Sequence, residues 1–443
     1  MQNSAEIDRL KAVVQQVLDE AKHQGASAAE ASVSIDNGLS VSARLGEVET
    51  VEFHCDQGLG VTVYFGQQKG SASSNDVSAD SLRETVRAAC SIARYASPDE
   101  YAGLPDAADL ATQFPDLDLY HPWTVNAEQA IELAIRCEQA ARDFDPAISN
   151  SEGASVNSHS GVRVLGNSLG FLQGYQATRH SISCSVLAGS GDNMQRDYWY
   201  SVARNQLGLE SVEQVGQEAA RRTLARMNAT SLSTRQCPVL FAPTMAQGLI
   251  GALIGAISGG SLYRKASFML DKLDQVIMPD FVRIHEQPLL KGALGSSSYD
   301  AEGVATQTRD IVSAGILRAY VLSSYSARKL GMRTTGNASG VHNLTVDSGA
   351  LDFTGMLQLM GTGLLVTELL GQGVNRVTGD YSRGASGFWV ENGVIQFPVE
   401  EITIAGNLTN MLRNIVAIGN DVDLRGNIRT GSILLEKMSI AGQ

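Results

Sequence analysis

The hydrophobic pattern of the first 66 residues changes from a helical period to a period of two, and this change restricts the fold most. Apolar residues recur at helical spacing as far as Ala21, and Gly25 ends that pattern. Between Ala31 and Phe53 apolar and polar residues largely alternate, and Gly58–Gly66 adds a further strand pattern. The chain is therefore predicted to begin with an amphipathic helix followed by antiparallel strands.

The rest of the chain divides by composition, and its 443 residues are more than one hydrophobic core usually supports. A second helix capped by Ser78 or Asp80 completes an N-terminal domain, residues 1–97, predicted as a helix-flanked antiparallel sheet. Prolines cluster in residues 98–124, which we interpret as a linker or covering arm. Residues 125–235 form a middle region. Residues 236–443 are predicted to form a larger C-terminal domain of many short, mostly antiparallel strands around a buried central helix. The predicted fold class is α+β.

Local signals fix several element ends. Asn126 with Gln129, and Ser211 with Gln214, have the spacing of capping boxes and predict two helix starts. Turn residues at 313–315 and 391–393 lie between alternating apolar runs and predict two β-hairpins.

Charge and cysteine content exclude some classes of protein. The net charge is -13 and no basic stripe is present, so nucleic acid is not an expected partner. The cysteines are odd in number, contain no CxxC pair, and are predicted to be reduced and buried in a cytoplasmic protein: Cys55, Cys90, Cys137, Cys184 and Cys237. The most apolar stretch, Met245–Ser258, is shorter than the roughly 20 residues of a membrane span, so no membrane association is expected.

The histidines do not form a metal motif, because no two of the seven lie within five residues of each other. His285-Glu286 resembles the start of a zinc-protease helix, but Pro288 interrupts the next turn, which favours a strand-end histidine. His54 and Cys55 are neighbours in a strand pattern, so their side chains are expected on opposite sheet faces. These residues therefore predict no catalytic site.

Three segments together carry a resemblance to a known family. The run GTGLLVTELLGQGVNRVTGDYSRGASGFWVENGVIQFPVEEITIAGNLTNMLRNIVAIGND, Gly361–Asp421, resembles the C-terminal block of the TldD/PmbA metallopeptidase family. Leu240–Phe268 resembles the central helix of that family, and the N-terminal helix with GLGVTVYFGQQKGSAS resembles its first domain. The resemblance covers nearly the whole chain.

The resemblance implies which residues should be catalytic, and this chain lacks them. Active members carry His-Glu-x-x-x-His on the central helix and a late cysteine, which supply zinc ligands and a general base. With Arg264-Lys265 set in register, the motif positions hold Gly251, Ala252 and Ala256, and the last cysteine is Cys237. The chain is similar to the PmbA (TldE) kind, so no catalytic residue, metal site or cofactor is expected in it, and zinc is implied in a partner.

The implied function is that of a cytoplasmic metalloprotease subunit that degrades or matures small unfolded peptides. The resemblance implies a heterodimer with a TldD-type zinc peptidase subunit, whose substrate cleft this chain completes, with a homodimer as the alternative when the chain is alone. Two other functions stay open: a non-catalytic binding or modulator protein, and a self-sufficient hydrolase with an unrecognised nucleophile.

One segment is a candidate for binding the peptide or the partner. The stretch Thr378–Ser386 is interpreted as a loop that offers Asp380, Tyr381 and Arg383 between glycines. A solvated turn with an Asp-Arg pair is the alternative. The central helix Leu249–Ile257 is apolar on all sides and rich in small residues, which is typical of close packing against another backbone.

Overall fold

The computed structural model describes residues 2–442 and has an α+β fold, as predicted. The α-helices are α1 (Gln2–His23), α2 (Ala79–Tyr95), α3 (Ala127–Arg142), α4 (Val212–Ala225), α5 (Pro243–Ala256), α6 (Gly259–Tyr263), α7 (Ser324–Lys329), α8 (Phe353–Met360) and α9 (Leu408–Arg413). The strands are β1 (Ala28–Arg44), β2 (Glu47–Phe65), β3 (Gln68–Ser74), β4 (Ile148–Asn167), β5 (Leu172–Ala188), β6 (Gln195–Ala203), β7 (Arg235–Phe241), β8 (Ile284–Glu286), β9 (Arg309–Ser313), β10 (Ile316–Leu317), β11 (Leu344–Val346), β12 (Gly363–Leu370), β13 (Asp380–Glu391), β14 (Val394–Asn407), β15 (Ile415–Ile418), β16 (Ile428–Arg429) and β17 (Ile433–Ala441).

The N-terminal half is one antiparallel sheet with helices on one face. The strand order is β3-β2-β1-β4-β5-β6, so the predicted N-terminal domain and the predicted middle region share this sheet. Val33 of β1 packs in the core formed with α1 and α2, and Val41 of the same strand packs in the core formed with α3 and α4. Because these residues are an even number of positions apart, both helix pairs cover the same face.

The C-terminal half is built on two further sheets with mostly antiparallel pairs. The larger has the order β14-β13-β12-β7-β17-β15, and the smaller has the order β10-β9-β8-β11-β16. The central strand β7 runs parallel to β12 and antiparallel to β17, and α5 follows β7 almost directly. Leu249, Ile250 and Leu253 of α5 are almost completely buried against this core.

The proline-rich residues 98–124 contain little regular structure and connect the two halves. Arg328 of α7 donates hydrogen bonds to the carbonyls of Tyr101, Gly103 and Leu104. Farther along, the Leu119 carbonyl accepts a 2.9 Å hydrogen bond from the backbone N–H of Thr178 in β5. We call residues 98–124 the arm.

Several local predictions are confirmed, and one is wrong. Both capping boxes form, at Asn126 and at Ser211, and both predicted hairpins form, as β9–β10 and β13–β14. Four cysteines are buried, but Cys55 is exposed, because it lies on a stretch of β2 that no described strand borders on its outer side. None of the helices in residues 2–442 has the length and apolar character needed to cross a membrane.

Candidate functional site

A cleft lies between α5 and the chain that follows β12. Since β7 and β12 are parallel neighbours, the chain leaves both strands at the same edge of the sheet, through α5 in one case and through residues 371–379 in the other. We call residues 371–379 the cleft wall. Together with the first residues of β13 these elements enclose about 830 Å³. The helix side is lined by Gly248, Gly251 and Ala252.

The helix side of the cleft is a row of glycines. A Cβ atom added at Gly248 would meet no atom within 4 Å, and one added at Gly251 would lie 3.7 Å from Ile428 Cδ1. The small residues of this helix predict close packing against another backbone, and within residues 2–442 this packing is not present at Gly248 and Gly251. Within the described chain the small residues leave space open there, whereas Leu253 on the opposite face is fully buried.

The cleft wall is held in a defined conformation by its contacts with β13. Gly373 lies so close to Ser382 that an added Cβ would be 1.6 Å from the Ser382 carbonyl oxygen. Ser382 N–H donates to the Gly373 carbonyl at 2.7 Å, and Asn375 N–H donates to the Asp380 carbonyl at 2.8 Å. The Asn375 side chain in turn accepts a hydrogen bond from Val377 N–H. The wall is thus a closed turn whose side chains project from a fixed backbone.

Two side chains of opposite charge, Arg376 and Asp380, line the cleft. The Arg376 guanidinium lies over Gly255 of α5, where an added Cβ would be 2.9 Å from Arg376 Nε. Asp380 is exposed, and hydrogen bonds from Thr378 and then Asn407 hold the pKa of its carboxyl below the ordinary value. Arg376 is also exposed, and its side chain makes no hydrogen bond or ion pair with another residue of 2–442.

The residues predicted to bind a peptide or partner do not all reach this cleft. Residues 380–386 belong to strand β13 and are not a loop, because β14 pairs along this stretch and β12 pairs with it from Gly384 onward. Asp380 lines the cleft. Tyr381 is only 3% exposed, and burial raises its pKa to about 12, so its ring faces the core and not a ligand. Arg383 donates to the Leu369 carbonyl at 3.2 Å and supports the end of β12.

Sequence reasoning missed Gln372, Asn375 and Arg376, which line the cleft beside Asp380. The available signal was the Gly371-Gln-Gly373 pattern, in which glycines flank polar residues between two strand patterns. This local pattern does not predict that α5 lies opposite these residues and forms the other side of the cleft.

The side chains at this cleft do not fit a zinc ion. Gly251 and Ala252 line the cleft and Ala256 is fully buried behind it, and none of these residues has a donor atom in its side chain. At no place in residues 2–442 do three His, Cys, Asp or Glu side chains come together in a way that could hold a metal ion. The cleft offers hydrogen-bonding amides and two opposite charges, which suit a polar chain such as a peptide.

Three sequence models of domains of the PmbA/TldA metallopeptidases match the chain. Domain 1 matches residues 29–93, the central domain matches residues 120–227, and the C-terminal domain matches residues 234–442. The chain is 56% identical over 415 residues to Metalloprotease PmbA of Escherichia coli O157:H7, covering 94% of this chain and 92% of that protein. It is 51% identical over 441 residues to the Metalloprotease PmbA homolog of Haemophilus influenzae, covering 99% and 97% of the two chains.

Solved structures share the fold. A proposed modulator of DNA gyrase from Bacteroides thetaiotaomicron superposes with a TM-score of 0.94 at 28% identity, covering 98% of this chain and 99% of that one. TldE from Thermococcus kodakarensis superposes with a TM-score of 0.81 at 18% identity, covering 97% of this chain and 100% of that one.

Proposed function

The chain belongs to the PmbA/TldD metallopeptidase family as a PmbA-type member, and from this membership we propose that it is the zinc-free subunit of a peptidase complex. In this proposal a TldD-type partner holds the zinc and hydrolyses the peptide bond. This chain completes the substrate cleft, and the substrates are small unfolded peptides. The complex is a cytoplasmic heterodimer, and the five free thiols of this chain are consistent with a reducing compartment.

The observation that best supports the proposal is a polar cleft beside α5 that has no side chains able to bind a catalytic zinc ion. With Arg264-Lys265 set in register, the resemblance implies that α5 corresponds to the family's central helix, with Gly251, Ala252 and Ala256 where active members have His, Glu and His. A hydrolytic zinc site needs three protein ligands and a water molecule. A polar cleft without such ligands is suited to holding a chain that another subunit cuts.

Arg376 and Asp380 are the residues proposed to hold the peptide at this cleft. Their opposite charges can meet the carbonyl and N–H groups of an extended backbone, or a terminal carboxylate and amine. The free guanidinium of Arg376 is the stronger candidate, because Asp380 already accepts hydrogen bonds from Thr378 and Asn407.

A reconstitution assay tests the proposal. The purified chain, a purified TldD-type partner, and their mixture are each incubated with a set of unfolded peptides, and the products are measured by mass spectrometry. The expected result is that the mixture cleaves faster than the partner alone while this chain alone does not cleave. Arg376→Ala in the mixture should lower cleavage by about tenfold, which corresponds to about 1.4 kcal/mol. Arg87→Ala, an exposed arginine on α2, is the matched control and should leave the rate unchanged.

Two outcomes would favour the other functions. Cleavage by the purified chain alone would support a self-sufficient hydrolase. Binding to the partner without any gain in cleavage would support a modulator, a role consistent with the Bacteroides protein being described as a proposed modulator of DNA gyrase.

A further inference from the structure

Strand β2 is paired on both sides over only part of its length. Its neighbour β1 runs along nearly all of it, whereas β3 pairs only with Leu59–Phe65. The backbone of residues 47–58 therefore has a free outer side, which no strand in the described chain covers. We call Glu47–Gly58 the open edge. Unpaired N–H and C=O groups on such an edge are a template for another strand.

The open edge has two chemically different faces. On the face that carries the helices it exposes Val48, Val51, Phe53 and Cys55, and the Phe53 side chain is 73% exposed. On the opposite face it exposes Glu47, Thr50, Glu52 and Asp56, with His54 partly exposed. A register shift opposite Ser42 leaves Glu49 as the extra residue of a bulge, and this keeps Val48 on the same face as Val51.

The turn that precedes the open edge is held by a side chain of α3. The carboxylate of Glu138 on α3 is 1% exposed and accepts two hydrogen bonds, from Leu45 N–H at 2.7 Å and from Gly46 N–H at 2.8 Å. Binding to an edge that is already ordered avoids much of the conformational entropy cost.

A cavity of about 420 Å³ lies beside the apolar face of the open edge. Phe53, Trp123, Val125 and His180 are among the residues that line it. Leu39, Trp123 and Val125, which line it, belong to or pack against the core formed with α3 and α4. A cavity at this place can accept an apolar side chain of a strand that pairs with β2.

We propose that the open edge binds an extended peptide as an added β-strand, with basic side chains on the carboxylate face and apolar side chains on the face of Phe53. Residues 47–58 carry four carboxylates, Glu47, Glu49, Glu52 and Asp56, and no lysine or arginine. Directly opposite residues in a sheet interact most strongly, so lysine or arginine opposite Glu52 and Asp56 is favourable. A second copy of this chain is a poor occupant, because antiparallel pairing of two such edges brings eight carboxylates together.

This inference rests on the proposed function only in taking a peptide as the ligand, since binding at the open edge requires no cleavage. The site is distinct from the cleft at α5, because the open edge belongs to the N-terminal sheet. Its tests therefore use this chain without a peptidase partner, and a negative result leaves the reconstitution assay unaffected.

Disulfide trapping tests the register of the added strand. The probe is a ten-residue peptide of alternating lysine and valine, in which one position at a time is a cysteine activated as a thiopyridyl disulfide. The Cys55 thiolate attacks the peptide sulfur, and thiopyridone leaves.

Cys55 is the exposed cysteine, and the other four are buried, so the Cys55→Ser variant measures the background. We expect the yield to rise and fall with a period of two along the peptide, because side chains alternate between sheet faces. Equal yields at all positions would overturn the proposal.

Charge reversal tests the recognition. Glu52 and Asp56 are exposed and have no side-chain partner in the described structure, so E52K/D56K should keep the melting temperature. In fluorescence anisotropy the affinity for the Lys-Val peptide should fall by about tenfold or more, and a Glu-Val peptide should bind better than it does to the original chain. The matched control E84K/D280K changes the net charge equally at exposed sites away from the edge.

Two results would contradict the proposal. An equal loss of affinity in both double variants would show attraction to the overall negative charge and not to the edge. A change of oligomeric state in E52K/D56K, with unchanged peptide affinity, would assign the edge to a contact between copies of the chain.

Discussion

Glu286 illustrates how one residue can be misleading in the sequence and clear in the structure. The pair His285-Glu286 resembles the start of a zinc-protease helix, but both residues lie in strand β8, as Pro288 indicates. Glu286 is 2% exposed, and its carboxylate accepts hydrogen bonds from Arg309 Nε and Asn337 Nδ2, each at 2.9 Å. Burial alone would raise its pKa, but hydrogen bonds from His342 and the nearby Arg309 charge outweigh burial and lower it.

We predict that Glu286→Gln lowers the free energy of unfolding by about 3–5 kcal/mol at pH 7, because it leaves the partly buried Arg309 without its counter-charge. Since the folded pKa is lowered, the carboxylate stabilises the fold fully above the ordinary pKa of glutamate. This contribution is lost as the pH falls through the lowered folded value. Urea unfolding at several pH values should therefore show that the difference between variant and original narrows in acid.

The control for this prediction is Glu84→Gln on the exposed side of α2, which should change stability by less than about 0.5 kcal/mol. A difference between Glu286→Gln and the original chain that is constant with pH would contradict the argument, because it would mean that shape and not charge accounts for the loss.

Of the three residues predicted from the sequence to bind a peptide or partner, only Asp380 lines the cleft, and its role in binding stays a prediction. The pattern around Asp380, Tyr381 and Arg383 contains polar and aromatic groups between glycines, and this is equally compatible with a loop and with a strand. Pairing with β14 places these three residues in strand β13, and because side chains alternate between the faces of a strand, Tyr381 points into the core.

At the scale of elements, α5 has two faces that the sequence does not distinguish. From Leu249 to Ala256 every residue is apolar or glycine, so hydrophobic periodicity does not indicate which face of the helix is buried. In the structure Ala256 is fully buried, while Gly255 is partly exposed and lies beneath the Arg376 guanidinium. Two serines that follow the helix satisfy the carbonyl of Gly255, since the side chains of Ser258 and Ser261 both donate to it at 2.8 Å.

The two faces predict opposite results for neighbouring substitutions. Ala256→Phe should cost roughly 1–3 kcal/mol or more, because extra volume in a packed core forces side chains out of their rotamers. Gly255→Ala should be tolerated or slightly stabilising, because alanine favours helices by about 1 kcal/mol over glycine and only the mobile end of Arg376 must move. Chemical unfolding of both variants measures the difference. Equal destabilisation by both would mean that the cleft face is as tightly packed as the core face.

At the scale of the whole molecule, the arm ties the N-terminal sheet to the C-terminal half. Arg328 donates to Tyr101 O at 3.2 Å and to Gly103 O at 3.1 Å, and the hydroxyl of Tyr325 donates to Asp99 at 2.7 Å. These contacts come from one short helix, α7, which holds the start of the arm. Farther along, Ala111 N–H donates to the Gly303 carbonyl at 2.9 Å, and the Leu117 carbonyl accepts a 2.8 Å hydrogen bond from Gly292 N–H.

We predict that Arg328→Ala loosens the arm. Hydrogen bonds to a charged group contribute about 1.5–3 kcal/mol each, so the start of the arm should become accessible before the sheets unfold. Limited proteolysis should then cut within residues 98–124 faster than in the original chain, and hydrogen exchange should rise there. Arg87→Ala is the control and should leave the cleavage pattern unchanged. Unchanged cleavage in Arg328→Ala would mean that other contacts hold the arm.

A second prediction at this scale concerns metal content. The chain purified alone should contain no stoichiometric zinc after dialysis, because a stable site needs three or four ligands in fixed geometry. Elemental analysis by mass spectrometry measures this directly. A value near one zinc per chain would contradict both this prediction and the proposed division of labour between the subunits.

The sequence by itself determined the features that depend on neighbours along the chain. The change of period predicted the first helix and the strands after it, and the capping boxes at Asn126 and Ser211 fixed two helix starts. The long segments Leu240–Phe268 and Gly361–Asp421 indicated the family by their resemblance to it, and the domain matches confirm the family. Side-chain spacing and turn chemistry are local properties, so they can be evaluated without knowing the fold.

Only the tertiary structure decided which surfaces meet. Strands from residues 1–97 and 125–235 join in one sheet, and the parallel pairing of β7 with β12 sets the cleft wall beside the glycine face of α5. In the N-terminal sheet, β3 pairs with only the last part of β2, which leaves residues 47–58 without an outer neighbour. These results depend on contacts between residues far apart in the chain, and no periodicity within a segment encodes which distant segment will pack against it.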